Sequence, residues 1–176
     1  AFASTDERET AIKSTLSAIG RNIEMYIWIK TAMSLLVAGL SYVILLMAGV
    51  DFAAFWALLI FILNYIPYIG SIVAVAFPVV LSILQFGSPG LTGLVLTGLM
   101  AAQVIVGNVV EPRITGTSLN LSPVIIVLAL SVWGSIWGVT GMILSVPIMV
   151  MAMIVLAQFP RTKALAVLMS QSGEIK

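Results

Sequence analysis

The sequence predicts an all-α fold: a polytopic transmembrane helix bundle with Pro/Gly-broken helices, in two weakly similar halves. Three observations lead there. The 176 residues are 61% hydrophobic and 9% charged, with mean hydropathy +1.17, whereas a soluble domain carries about 25% charged residues. The run Phe52–Val110 contains no charged side chain. Inside that run stands Asn64-Tyr65-Ile66-Pro67-Tyr68-Ile69-Gly70-Ser71, where proline removes a backbone donor and glycine admits dihedrals other residues avoid. A helix broken there leaves carbonyls and amides that lipid cannot satisfy, so the break must lie inside protein or beside a watery cavity.

The elements follow in order. Residues 1–26 read as an amphipathic interfacial helix: Ser4 and Glu7 fit a capping box, and Ile12, Leu16, Ile19, Ile23 and Tyr26 form one apolar stripe. Residues 27–160 are assigned to the transmembrane domain. Its first span, Trp28–Val50, is entered through Tyr26, Trp28 and Lys30, aromatic and basic anchors typical of an interface. Ser34, Ala38 and Ser41 supply a small-residue face for close helix contact. Asp51 is read as a solvated cap at the far interface. Phe52–Asn64 is too short to cross about 30 Å at 1.5 Å per residue, and Ser71–Phe86 is short and holds Pro78. A re-entrant hairpin and a discontinuous helix both fit this pair. Gly87-Ser88-Pro89-Gly90 is a turn, and Leu91–Val110 forms a continuous helix with Gly93, Thr97 and Ala101 as its expected contact face. Glu111-Pro112-Arg113 ends that helix and a loop containing Thr115–Ser118 follows. Pro123 opens the next helix, Gly134–Gly138 breaks it, and Val139–Phe159 resumes with Pro147 inside. Pro78 beyond Gly70 and Pro147 beyond Gly138 give the two halves a common pattern, the arrangement expected of transporters built from repeats with broken helices. Residues 161–176 are a tail in which Arg161, Lys163 and Lys176 outnumber Glu174, which puts the C-terminus in the cytoplasm.

Candidate chemistry is sparse. With no cysteine and no histidine, disulfides, thiol chemistry, His-ligated metal and His proton relays are excluded, and so are intramembrane serine and zinc proteases. Only Asp6 and Asp51 are present for an aspartyl protease. The chain is read as no enzyme, with no metal and no cofactor. A net charge of +1 without a basic cluster excludes nucleic acid as a partner. Between Lys30 and Arg161 the ionisable acids and bases are Asp51, Glu111 and Arg113. Ionisable groups at membrane depth are functional candidates by default, so Glu111 is the candidate coupling or gating carboxylate, with Arg113 tuning it by proximity; the alternative is an interfacial loop in which the two help fix the turn around Pro112. Asn64, Gln103 and Asn108 are candidate hydrogen-bonding groups for a small hydroxylated solute, with the breaks at Pro67, Gly70 and Gly138 beside the same pathway. The bland reading of these amides is glue between helices, at about 1 kcal/mol each.

Three motifs then carry a resemblance. Asn64-Tyr65-Ile66-Pro67-Tyr68-Ile69-Gly70 comes first. Glu111-Pro112-Arg113-Ile114-Thr115-Gly116 follows, with Leu119-Asn120-Leu121-Ser122-Pro123. The third is Trp137-Gly138-Val139-Thr140-Gly141-Met142, running on to Val146-Pro147. In order and spacing the chain resembles the C-terminal half of a member of the autoinducer-2 exporter family of bacterial membrane proteins, over about residues 20–160. The resemblance implies a multi-pass protein of the bacterial inner membrane that exports a small polar signalling molecule such as autoinducer-2, in quorum sensing, by secondary transport. For some relatives it implies sodium/proton antiport instead. It also implies a homo-oligomer, with a pentamer as the expected form, and a transport unit that moves past a scaffold. A non-transporting membrane subunit is the third reading, against which the broken helices argue, since continuous helices satisfy the backbone better.

Overall fold

A computed structural model describes residues 5–115, 120–159, 161–171 and 173. The cap residue Ser4, the loop residues Gly116–Leu119, Pro160, Glu174 and Lys176 lie outside the described residues, as do the side chains of Glu7, Ile12, Leu16 and Ile19 within the first helix. Every named element among the described residues is helical: α1 Thr5–Ala48, α2 Ala53–Leu63, α3 Ile69–Phe86, α4 Pro89–Ile105, a π-turn Val106–Val110, α5 Glu111–Thr115, α6 Pro123–Gln158 and α7 Lys163–Met169. Among the described residues, four stretches are long and apolar enough to cross a membrane: Ile23–Ala48, Ile69–Phe86, Pro89–Ile114 and Pro123–Gln158. The interfacial segment and the first span expected from the sequence are one uninterrupted helix, α1. The chain divides into two compact units, Ile29–Gly116 and a second made of Ala1–Trp28 with Thr117–Lys176.

In the unit Ile29–Gly116, α1 buries Lys30, Met33, Ser34, Val37, Ala38, Ser41 and Leu45, a stripe at three- and four-residue steps. The small-residue face Ser34, Ala38 and Ser41 is therefore a contact face. Gly49, at φ 74°, ends α1. The Gly49 amide donates to the Leu46 carbonyl at 3.1 Å and the Val50 amide to the Leu45 carbonyl at 2.9 Å, a Schellman closure with its apolar contact supplied by buried Val50 and Leu45. Gln85 staples this corner, accepting from the Asp51 amide at 2.9 Å and donating to the Gly49 carbonyl at 2.8 Å. Asp51 is exposed there.

α2 and α3 form a helical hairpin. The Trp56 and Phe77 rings stack with centroids 6.3 Å apart, and Ala53 and Ile60 share one core with Ala74 and Val75. α4 adds Val95, Leu99 and Val106 to that core. This corrects one expectation: Thr97 and Ala101 of the anticipated contact face are exposed, and Val95, Leu99, Ala102 and Val106 face inward. Thr97 turns its hydroxyl onto the Gly93 carbonyl of its own helix at 2.7 Å. Size alone did not decide which side of α4 packs: Leu94, Leu96 and Met100 are exposed, whereas Ala102 is buried.

In the second unit Gly138 has φ 62°, ψ −140°, which splits α6 into two helical arms. Leu121, Ile125 and Ile126 pack in one cluster with Val146, Val150 and Met153. In a straight helix Ile126 and Val150 would stand about 36 Å apart, so the arms fold back on each other. Ala166 and Met169 of α7 complete the cluster. The Ser122 amide donates to the Met169 carbonyl at 2.8 Å and the Gln171 amide to the Asn120 carbonyl at 3.0 Å. The first part of the C-terminal segment is thus a docked helix, held by main-chain bonds to the residues that open α6.

Candidate functional site

The site begins at the tip of the α2–α3 hairpin. Pro67-Tyr68-Ile69 is a γ-turn: the Ile69 amide donates to the Pro67 carbonyl at 2.7 Å, and Tyr68 lies at φ 60°, ψ −62°. This three-residue turn is rare and strained in a residue with a side chain. The neighbouring amides are also bonded within the tip. Tyr65 donates to Ile62 at 3.3 Å, Ile66 to Leu63 at 2.9 Å and Gly70 to Ile66 at 3.1 Å. Four of the amides that a broken helix would offer to a solute, those of Tyr65, Ile66, Ile69 and Gly70, are therefore bonded within the turn itself. Gly70 is required by space: a Cβ there would run into the Leu63 carbonyl. Asn64 is buried as the last cap of α2, whereas Pro67 is half-buried.

α1 reaches this tip and the end of α4 with consecutive residues. Thr31 Oγ1 and the Tyr65 hydroxyl share a hydrogen bond at 2.7 Å. Lys30 Nζ donates to Glu111 Oε1 at 3.1 Å and Oε2 at 3.4 Å, with the side chains 11% and 25% exposed respectively. The cation in contact with Glu111 is thus Lys30, which the sequence marked only as an interface anchor. Arg113 is exposed. Glu111 owes its position to the π-turn Val106–Val110, where the Glu111 amide donates to the Val106 carbonyl, five residues back. Pro112 accounts for the widening: in an α-helix its ring would clash with the Asn108 carbonyl, and an inserted residue relieves that clash.

The remaining candidates divide. Asn108 is exposed on the π-turn, and Gln103 is half-buried on α4 with its amide nitrogen buried and unpartnered. Gly138 belongs to the other unit. There the sequence reading missed Gly141, whose Cβ would strike the Trp133 carbonyl. The Gly-x-x-Gly spacing of 138 and 141 was the available signal. Trp133 and Trp137 pair at 5.1 Å beside that tip. Among the described residues no group of three or more His, Cys, Asp or Glu could hold a metal.

Comparison with known proteins adds the decisive observation. The model of the AI-2E family transporter matches residues 2–161. The chain belongs to that family. The family is one of membrane transporters and not of enzymes, and with four candidate spans it makes this a multi-pass bacterial membrane protein. Over 158 residues the chain is 39% identical to the AI-2 transport protein TqsA of Escherichia coli (strain K12), covering 88% of this chain and 46% of that protein. It is 38% identical over 151 residues to a "Putative transport protein" of Haemophilus influenzae, covering 86% and 43%. A Borreliella burgdorferi protein with the same description is 33% identical over 165 residues, covering 93% and 45%. The chain spans about half the length of the curated relatives it matches.

Proposed function

We propose that this chain is the transport-bearing part of a bacterial secondary transporter that exports a small polar signalling molecule such as autoinducer-2. One observation carries the reading. Two stretches of non-α backbone, the strained Tyr68 turn and the π-turn before Glu111, are tied to adjacent residues of α1 within an apolar unit whose other charged residues, Asp51 and Arg113, are exposed. Strain and π-turns concentrate where a protein must change state. In this reading Asn64, Pro67, Gly70, Gln103 and Asn108 line the path, and Glu111 gates it by leaving Lys30. α2, about 16 Å long, is then the short arm of a re-entrant hairpin. Residues 27–160 are the transmembrane domain, after an interfacial segment 1–26, and 161–176 face the cytoplasm. Exposed Thr97 and Ala101 support contact with further copies in a homo-oligomer.

The test is efflux of autoinducer-2 from vesicles. Asn64→Ala and Glu111→Gln should each slow it about tenfold, one 1.4 kcal/mol step; unchanged efflux in both removes the assignment. The same vesicles test sodium/proton antiport, the competing reading. A carboxylate with both oxygens against one ammonium is already neutralised, and a transported cation would have to displace Lys30. Sodium flux that Glu111→Gln abolishes, without any autoinducer-2 efflux in the parent, would establish the competitor instead.

A further inference from the structure

Four buried polar atoms in the unit Ile29–Gly116 have no hydrogen-bond partner: Ser34 Oγ, Ser41 Oγ, Trp56 Nε1 and Gln103 Nε2. Buried polar groups in native proteins are almost always paired, and in apolar surroundings an unpaired one costs several kcal/mol. The two serines stand out against their kind. Ser82, Ser131, Ser135 and Ser145 each donate to a carbonyl of their own helix at 2.7–3.0 Å, the usual resort of a helical hydroxyl. Ser34 and Ser41 do not, although they are 0% and 1% exposed.

Register brings the four atoms to one length of α1. A Cβ on Gly98 would stand 2.9 Å from Ile44, and Lys30 meets Glu111, so α1 and α4 run antiparallel and Gln103 falls opposite Ala38. Ser34 and Ser41 lie about one turn to either side. Thr31 meets Tyr65; counting back from there by the same steps sets Trp56 level with residues 40–41 along the helix axis. The band from Ser34 to Ser41 is about 10 Å long. Its other buried members, Val37 and Ala38, are apolar.

We propose that this band is a binding subsite for an uncharged molecule bearing hydroxyl and carbonyl oxygens. The indole nitrogen and the amide nitrogen only donate, and the hydroxyls donate or accept. No ionisable side chain lies in the band, so it offers a cation nothing to neutralise it and an anion no counter-charge. Lys30 and Glu111, one turn before Ser34, close its end. The assignment rests on the transport reading above and adds Ser34, Ser41 and Trp56 to it as residues that select for neutral, oxygen-rich solutes.

The chain has no cysteine, so Ser34→Cys and Ser41→Cys each introduce one near-isosteric reporter. In proteoliposomes the variants are treated with methyl methanethiosulfonate, an uncharged reagent that requires a thiolate and hence water. Both should react, and autoinducer-2 at ten times its dissociation constant should slow the reaction about tenfold by mass action. Leu45→Cys, beyond the band, should stay unreactive. If Ser34→Cys and Ser41→Cys do not react, the band is dry packing and the subsite is refuted. Reaction that neither autoinducer-2 nor a panel of ribose, dihydroxyacetone and glycerol slows means that water alone fills it, which also overturns the proposal. Protection by that panel in a protein without autoinducer-2 efflux would uphold the subsite while removing the export reading. Intact efflux with unprotected thiols would do the reverse.

Discussion

The two hairpin tips solve one problem with different backbones. The first turns through Pro67-Tyr68-Ile69, places a tyrosine at φ 60°, and bonds its own amides. The second turns at a single residue, Gly138, at φ 62°, ψ −140°. Each is followed by a glycine pressed on the last turn of the preceding arm, Gly70 on the Leu63 carbonyl and Gly141 on the Trp133 carbonyl. Close approach after the turn is thus the shared requirement, and the turn itself is free to vary. The first tip is additionally held from outside, by Thr31 on Tyr65. Strain at Tyr68 together with that external tie marks the first tip as the one built to hold a particular state.

The largest expected effect tests the shared feature. Gly70→Ala and Gly141→Ala should each lower stability by about 3–5 kcal/mol, because the backbone of both arms must separate; thermal unfolding in detergent measures this. A near-neutral Gly141→Ala would make the two tips unlike after all. Next, Glu111→Gln and Lys30→Met should each cost about 2 kcal/mol, while the double variant recovers part of it, since a partly buried charge left alone is worse than none. A double-mutant cycle reads the coupling. The turns themselves should respond with opposite sign. Gly138→Ala should destabilise by about 1–3 kcal/mol, and Tyr68→Gly should be neutral or slightly stabilising, since it releases a strained side-chain-bearing residue. Smallest is Tyr65→Phe, about 1 kcal/mol for one hydrogen bond. If its efflux changes far more than its stability, the Thr31 tie acts on transport and not on folding.

Both breaks were legible because proline and glycine act locally and stand out in an apolar run. Partners were not legible. Lys30 and Glu111 are 81 residues apart, and nothing in the chain between them announces the pairing, so the nearer Arg113 drew the assignment. The packed side of α4 was missed for a different reason. On a helix apolar all round, hydrophobic periodicity has no contrast, and lipid-facing and core-facing leucines read alike. The π-turn was hidden too, although Pro112 after Gly107 and Asn108 is its cause in retrospect. The docking of α7 was hard to read because, besides burying Ala166 and Met169, it uses main-chain bonds to Asn120 and Ser122, which any sequence can make.

The distance along the chain between Lys30 and Glu111 has a consequence for biogenesis. Ribosomes add roughly 5–20 residues per second, so the lysine emerges several seconds before the glutamate that neutralises it. During that interval the ammonium lacks its carboxylate partner, and long basic side chains so placed extend towards water or headgroups. The tie between α1 and the end of the π-turn can therefore close only after the later segment has been made, so this unit completes its packing late in its own synthesis.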